Sequence, residues 1–211
     1  MSSVIEICNM ALSNIGASRR IDDLDEDSQE AEQCSLFYVH ARDFVLRSDC
    51  EWAFATAFAA LAEVADNPDP VFPYAYAMPN DCMRIRRIVN PVLDASYFTR
   101  IHCYGNPPQI PEIKFRVVNG SSQRLITTME PAATLEYTLK VESSEMFDPV
   151  FVSALSWYLA SKIAAPLAKD TSVTANCYAQ YQADVLRAGA AALNEGSGPE
   201  QHESIFISGR N

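Results

Sequence analysis

The stretch DNPDPVFPYAYAMP, with prolines at 68, 70, 73 and 79, constrains this chain more than any other feature. Each proline lacks a backbone N–H and has a fixed φ, so no continuous helix can run through them. They predict an extended connector, entered by the Ala-rich apolar run that starts at Trp52. Helices must lie to either side of it.

Before the connector, Val4, Ile7, Cys8, Ala11, Leu12 and Ile15 recur at spacings of three and four, one face of a helix, and Gly16 supplies its stop. Asp22, Asp23, Asp25, Glu26 and Asp27 then form a short acidic loop. Asp27 with Glu30 predicts a capping-box-like start to a second helix. Its stripe is Ala31, Cys34, Phe37, Tyr38, Ala41, Phe44 and Val45, with an end near Ser48 or Asp49.

After the connector, residues 83–141 read as strands, near 84–89, 97–103, 114–118, 124–128 and 135–139. Asn90-Pro91, Gly105-Asn106-Pro107-Pro108 and Asn119-Gly120 punctuate them, and the last is a strong hairpin signal. Asp148-Pro149 opens a third helix, because Asp caps free N–H groups and Pro fits the first turn. Its stripe is Phe151, Leu155, Tyr158, Leu159 and Ile163, and Pro166 is expected to end or kink it. Asp170-Thr171 starts a fourth, with Val173, Cys177, Tyr181, Val185, Ala188 and Ala192 on one face and a stop near Gly196.

This order predicts an α+β fold in which the N-terminal and C-terminal helices form one bundle around a small inserted antiparallel β region. The expected parts are 1–50 and 148–195 for the bundle, 51–147 for connector and β insertion, and 196–211 for an extended C-terminal tail. That tail, GSGPEQHESIFISGRN, is polar except for Ile205, Phe206 and Ile207. Exposed apolar residues gain nothing in water, so this group is expected to have a partner, the alternative being that the tail folds back onto its own domain as a short edge strand.

A formal net charge of −11, with no Lys/Arg cluster, argues against nucleic acid as a specific ligand. The opening residues lack the basic start of a signal peptide. The apolar run 52–62 is too short to cross a bilayer, and no membrane span is expected. Cys8, Cys34, Cys50, Cys82, Cys103 and Cys177 form no C-x-x-C pair and are expected to be reduced and mostly buried.

Nucleophile elbows, phosphate loops and dinucleotide fingerprints are absent from the sequence. His40, His102 and His202 stand apart, without a metal-pair spacing. The acidic loop lacks the D-x-D-x-D-G layout of an EF-hand and reads as a solvated loop. Trp52, Phe54, Phe58, Phe72, Tyr74 and Tyr76 lie in a stretch without Arg or Lys to hold phosphates, so core or subunit contacts explain them better than base stacking. No catalytic residue, cofactor or metal is expected.

Several segments carry a resemblance. EICNMALSNIGA, the acidic loop, the second helix running into DCEWAFA, and FPYAYAMPNDCMRIRRI resemble the head-to-tail adaptor family of short-tailed bacteriophages, also called tail tubular protein A. PAATLEYTLKVESSEMFDPVFVSALSWYLASKIAAPLAKD and the ending SIFISGR are similar to that family's distal helical half and extended tail. The resemblance implies a structural virion protein of the neck, assembled in the host cytoplasm. It implies a dodecameric ring that docks beneath the portal protein and above the tail nozzle or tail tube, with the subunit able to stay monomeric in isolation. Viral DNA would pass through the ring without specific binding. An acidic wall, for which Asp22, Asp23, Asp25, Glu26 and Asp27 are candidates, would repel phosphates. The resemblance also suggests that Ile205, Phe206, Ile207 and Arg210 bind the portal or an adjacent subunit. The alternatives are a muralytic tail-associated hydrolase, a head-completion connector of a long-tailed phage, and a general protein-binding module.

Overall fold

The computed structural model describes residues 3–48, 50–90 and 112–195. The fold is α+β, with four helices and two three-stranded antiparallel sheets among these residues. The chain divides into two compact units. One gathers residues up to 57, 81–84 and 137–193, and the other gathers 58–80 and 85–136.

The first unit holds the helices. Helix α1 (Val4–Asn14) starts in a full capping box, with the Ser3 hydroxyl accepting from the Glu6 amide at 3.1 Å and the Glu6 carboxylate accepting from the Ser3 amide at 2.8 Å. Sequence reasoning overlooked this box. The stop at Gly16 is as expected, and its φ of 76° explains the glycine. Helix α2 (Gln29–Leu46) is capped by Ser28, whose hydroxyl accepts from the Ala31 amide, so the expected Asp27 cap is displaced by one residue. Between the two helices, the Asn9 side-chain amide donates to the Ile21 carbonyl at 2.8 Å and accepts from the Ile21 amide at 2.9 Å. Ile21 is thereby fixed over the core, 1% exposed.

Helix α3 (Pro149–Leu167) is capped by Asp148 as expected, and it runs one residue past Pro166. It is the one helix among the described residues long and apolar enough to cross a membrane. Its apolar surface is largely accounted for inside the unit. It packs on α1 and α2, Ser153 and Ser156 hydrogen-bond to Asp184 and Asn14 on neighbouring helices, and 61% of its most apolar stretch is buried. A helix apolar on every side is what a central position demands. Helix α4 (Thr171–Glu195) completes the bundle through Cys177, Tyr181 and Ala188. Trp52, Phe54, Phe147 and Phe151 form an edge-to-face aromatic cluster, and the Trp52 indole donates to the Val45 carbonyl.

The strands are β1 (Thr56–Ala60), β2 (Tyr74–Ala77), β3 (Cys82–Val89), β4 (Phe115–Asn119), β5 (Arg124–Thr128) and β6 (Thr134–Leu139). They form sheets of order β1-β6-β3 and β2-β5-β4. Strands β3 to β6 match the expected segments, whereas β1 and β2 lie where an unbroken connector was expected. Pro68, Pro70 and Pro73 all fall in the loop between those two strands, and Pro79 follows β2, so none interrupts a ladder.

The proline loop is held by side chains instead. Buried Asp69 accepts from the Val71 amide at 2.8 Å and the Thr127 hydroxyl at 2.9 Å, while Asn67 donates to the Phe72 carbonyl at 2.7 Å. The β4–β5 hairpin closes with Asn119 opposite Arg124 and the Gly120 amide bonded to Gln123. Gly120 sits close to its neighbours, and a Cβ there would lie 2.9 Å from Leu125 Cδ1 and 3.0 Å from the Gln123 carbonyl oxygen, so a larger residue would make Leu125 shift. The expected strand at 97–103, the turn at 105–108 and the extended tail lie outside the described residues.

Candidate docking groove

The candidate chemical groups of the sequence do not converge. His40 is exposed on α2, and His102 and His202 lie outside the described residues. Among the described residues there is no group of three His, Cys, Asp or Glu side chains placed to hold a metal ion. Cys8, Cys34, Cys50, Cys82 and Cys177 are free and buried, while Cys103 lies outside the described residues. A hydrogen bond with Cys34 and burial push the Cys8 thiol up, and burial pushes the Tyr38 hydroxyl up to about 12.

The acidic loop is ordered around one arginine. Glu26 accepts from Arg19 at 2.5 Å and from the Asp22 amide at 3.1 Å, contacts that hold its carboxyl below the usual carboxylate range. Asp22, Asp23, Asp25 and Asp27 remain exposed. Of the aromatics in the connector, Trp52 and Phe54 belong to the helical core, Tyr76 and Phe72 are buried in the β unit, and Phe58 is 61% exposed.

The most distinctive surface lies between the C-terminal end of α2 and the middle of α4. Phe44 stacks on Tyr158 at 4.3 Å with the rings 3° from parallel, Tyr158 meets Tyr181 at 4.9 Å, and Tyr181 meets Tyr178 at 5.7 Å. Lys162 covers the Tyr158 ring at 4.7 Å. Above this aromatic floor is an open groove of about 640 Å³, lined by Phe44, Arg47, Ser48, Tyr178, Val185 and Leu186 among others. Phe44 was expected in the core stripe of α2 but is 48% exposed, and Leu186 is 75% exposed. Phe44 sits at the edge of the buried arc of α2, so it reaches Tyr158 with one ring face and leaves the other open.

The groove's polar rim is also unusual. The hydroxyl of Ser48 is buried and has no hydrogen-bond partner among the described residues, and the exposed Arg47 guanidinium has no ion pair there. Sequence reasoning did not single out Arg47, Tyr178 or Leu186. The available signal was Leu186 itself, a large apolar residue opposite the buried stripe of α4. Ile205, Phe206, Ile207 and Arg210 lie outside the described residues. No protein-family model matches the chain, and no curated protein matches it.

Proposed function

We propose that this chain is a structural subunit of a phage neck, a head-to-tail adaptor that forms a ring between portal and tail and extends the DNA channel. The observation that carries the reading is the exposed aromatic groove on the helical unit. Its lining is open and more apolar than polar, the character of a surface that meets another protein rather than of a closed pocket around a small reacting molecule. The segment-by-segment resemblance supplies the particular assembly, and the α+β fold is compatible with it. The acidic balance fits passage of DNA without adhesion, because carboxylates repel phosphates.

Electron microscopy of the full chain mixed with its cognate portal tests this. Rings stacked on the portal are the expected result. A protein that stays monomeric and unbound beside an intact portal would count against the adaptor reading and favour a general binding module.

A further inference from the structure

We propose that Asn119 is this chain's site of spontaneous deamidation, and that the β4–β5 hairpin sets the rate of the reaction. Asn119-Gly120 is the single Asn-Gly pair in the sequence. In such a pair the backbone nitrogen of the glycine, once it has lost its proton to hydroxide, attacks Cγ of the asparagine carboxamide. A bond forms between that nitrogen and Cγ, and the bond from Cγ to Nδ2 breaks with release of ammonia. Water then opens the cyclic imide at either of its carbonyls. One opening leaves aspartate. The other leaves isoaspartate, in which the main chain runs through the side-chain carbon and is one methylene longer. Glycine favours the attack because it has no Cβ to crowd the nitrogen.

The structure singles out the same residue. Asn119 is exposed at the end of β4, and its carboxamide has no hydrogen bond among the described residues. Other asparagines are held or blocked. Asn9 is bonded twice to Ile21, and Asn14 donates to Ser156. Asn67, Asn90 and Asn106 precede prolines, whose nitrogens have no proton to lose. Asn176 lies within α4, where the next amide is committed to the helical ladder. Asn80 and Asn194 precede Asp81 and Glu195, whose side chains crowd the nitrogen and whose charges oppose its ionisation.

The hairpin restrains the reaction. The Gly120 amide donates to the Gln123 carbonyl at 2.9 Å, and Asn119 is paired with Arg124 across the ladder. Attack needs that N–H released, so the hairpin end must open first. Ser121, Ser122, Gln123 and Arg124 are all exposed, and this opening therefore breaks little buried contact. Isoaspartate, once formed, lengthens the chain beside Leu125, where there is already little room at Gly120, and so keeps the hairpin end open.

The test incubates the full chain in mildly alkaline buffer, folded and in parallel in urea. Mass spectrometry of its peptides locates each amide-to-acid conversion, and enzymatic methylation reads isoaspartate. In the folded chain Asn119 is expected to convert before every other asparagine, about tenfold more slowly than in urea, because an exposed hairpin end opens at small cost. Hydrogen exchange of the Gly120 amide reports the same opening and should be slowed by a similar factor. Equal conversion rates in the folded and unfolded chain, earlier conversion of another asparagine, or an Asn119 that stays intact in the folded chain would each overturn the proposal. The reaction needs no partner, so either result leaves the adaptor reading as it stands.

Discussion

The helical unit and the β unit solve the same problem with different materials. The helical unit is held by apolar packing: its core is a continuous cluster of buried hydrophobic side chains, with Phe151, Leu155, Leu159 and Ile163 of α3 at its centre. The β unit buries fewer large side chains, chiefly Tyr76, Leu125, Ile126 and Leu135, and it also buries Asp69, Thr127 and Thr128. A loop rich in proline makes few backbone hydrogen bonds of its own. Carboxylate and hydroxyl groups therefore supply the order that backbone pairing supplies elsewhere. The lesson is that stability in one unit scales with apolar area, and in the other it hangs on a few polar contacts.

The largest expected effect tests the first half of that contrast. Phe151→Ala removes a fully buried ring that packs on Trp52, Phe54 and Phe147. It should cost roughly 3–5 kcal/mol. Both tryptophans, Trp52 and Trp157, lie in the helical unit, so urea unfolding followed by tryptophan fluorescence reads this loss directly. A shift below about 1 kcal/mol would mean that the aromatic cluster is not a core in the energetic sense.

Asp69→Asn tests the other half. The substitution keeps the size of the side chain and weakens its hold on the Val71 amide and the Thr127 hydroxyl. Amide exchange at Val71 and Phe72 should accelerate roughly tenfold, while the tryptophan transition stays where it was. An equal shift of both probes would break the contrast. The Val71 amide, together with Thr127, Phe72 and Arg116, holds the Asp69 carboxyl below its ordinary value of 3.8 against the opposing effect of burial. Its contribution is therefore complete above that ordinary value and is lost as pH falls through the depressed one. Protection of the proline loop should fade in acid, and Asp69→Asn should remove that dependence.

The same contrast explains what the sequence disclosed. The four helices were legible because apolar side chains packed on one face leave a period of three and four, and Asp148-Pro149 and Asp170-Thr171 marked two starts. Strands β1 and β2 were hidden because the prolines dominate their neighbourhood, although all of them stand in loops. Asp69 and Arg42 were missed for a common reason: a charged residue carries no periodic signal of burial, and only the fold shows Arg42 closed over by Asp43 and Glu142. The groove was hard to read because Phe44 lies beside the buried stripe of α2 and Leu186 opposite that of α4, on two helices far apart in sequence.

Among the described residues, each unit also holds one non-glycine residue in the left-handed region, Ala132 in the β unit and Lys169 after α3, both at φ 55°. The Lys169 amide bonds back to the Ala164 carbonyl at 3.2 Å, so the turn is part of the helix end. Replacing either residue by glycine removes a Cβ clash but loosens the unfolded chain, and the two effects nearly oppose. Gains of up to about 1 kcal/mol are expected, and Lys169→Gly should show its gain in tryptophan fluorescence while Ala132→Gly shows its gain in β-unit amide exchange.

The smallest effect is expected where the helical unit departs from its own rule. Leu186 is an apolar residue in the unit that lives by apolar burial, yet it is 75% exposed, while Leu155 on the facing helix is fully buried. If apolar area sets stability here, only area removed from water counts. Leu155→Ala should then cost roughly 2–5 kcal/mol, and Leu186→Ser should change the stability read from urea unfolding by less than about 0.5 kcal/mol. The two leucines differ in almost nothing but cover, which makes them a clean pair. A large loss at Leu186 would mean that the isolated chain already covers this residue, so that the groove is filled rather than open. A negligible loss leaves a large apolar side chain whose presence the stability of the subunit does not explain, and its reason then has to be sought in contact with another chain.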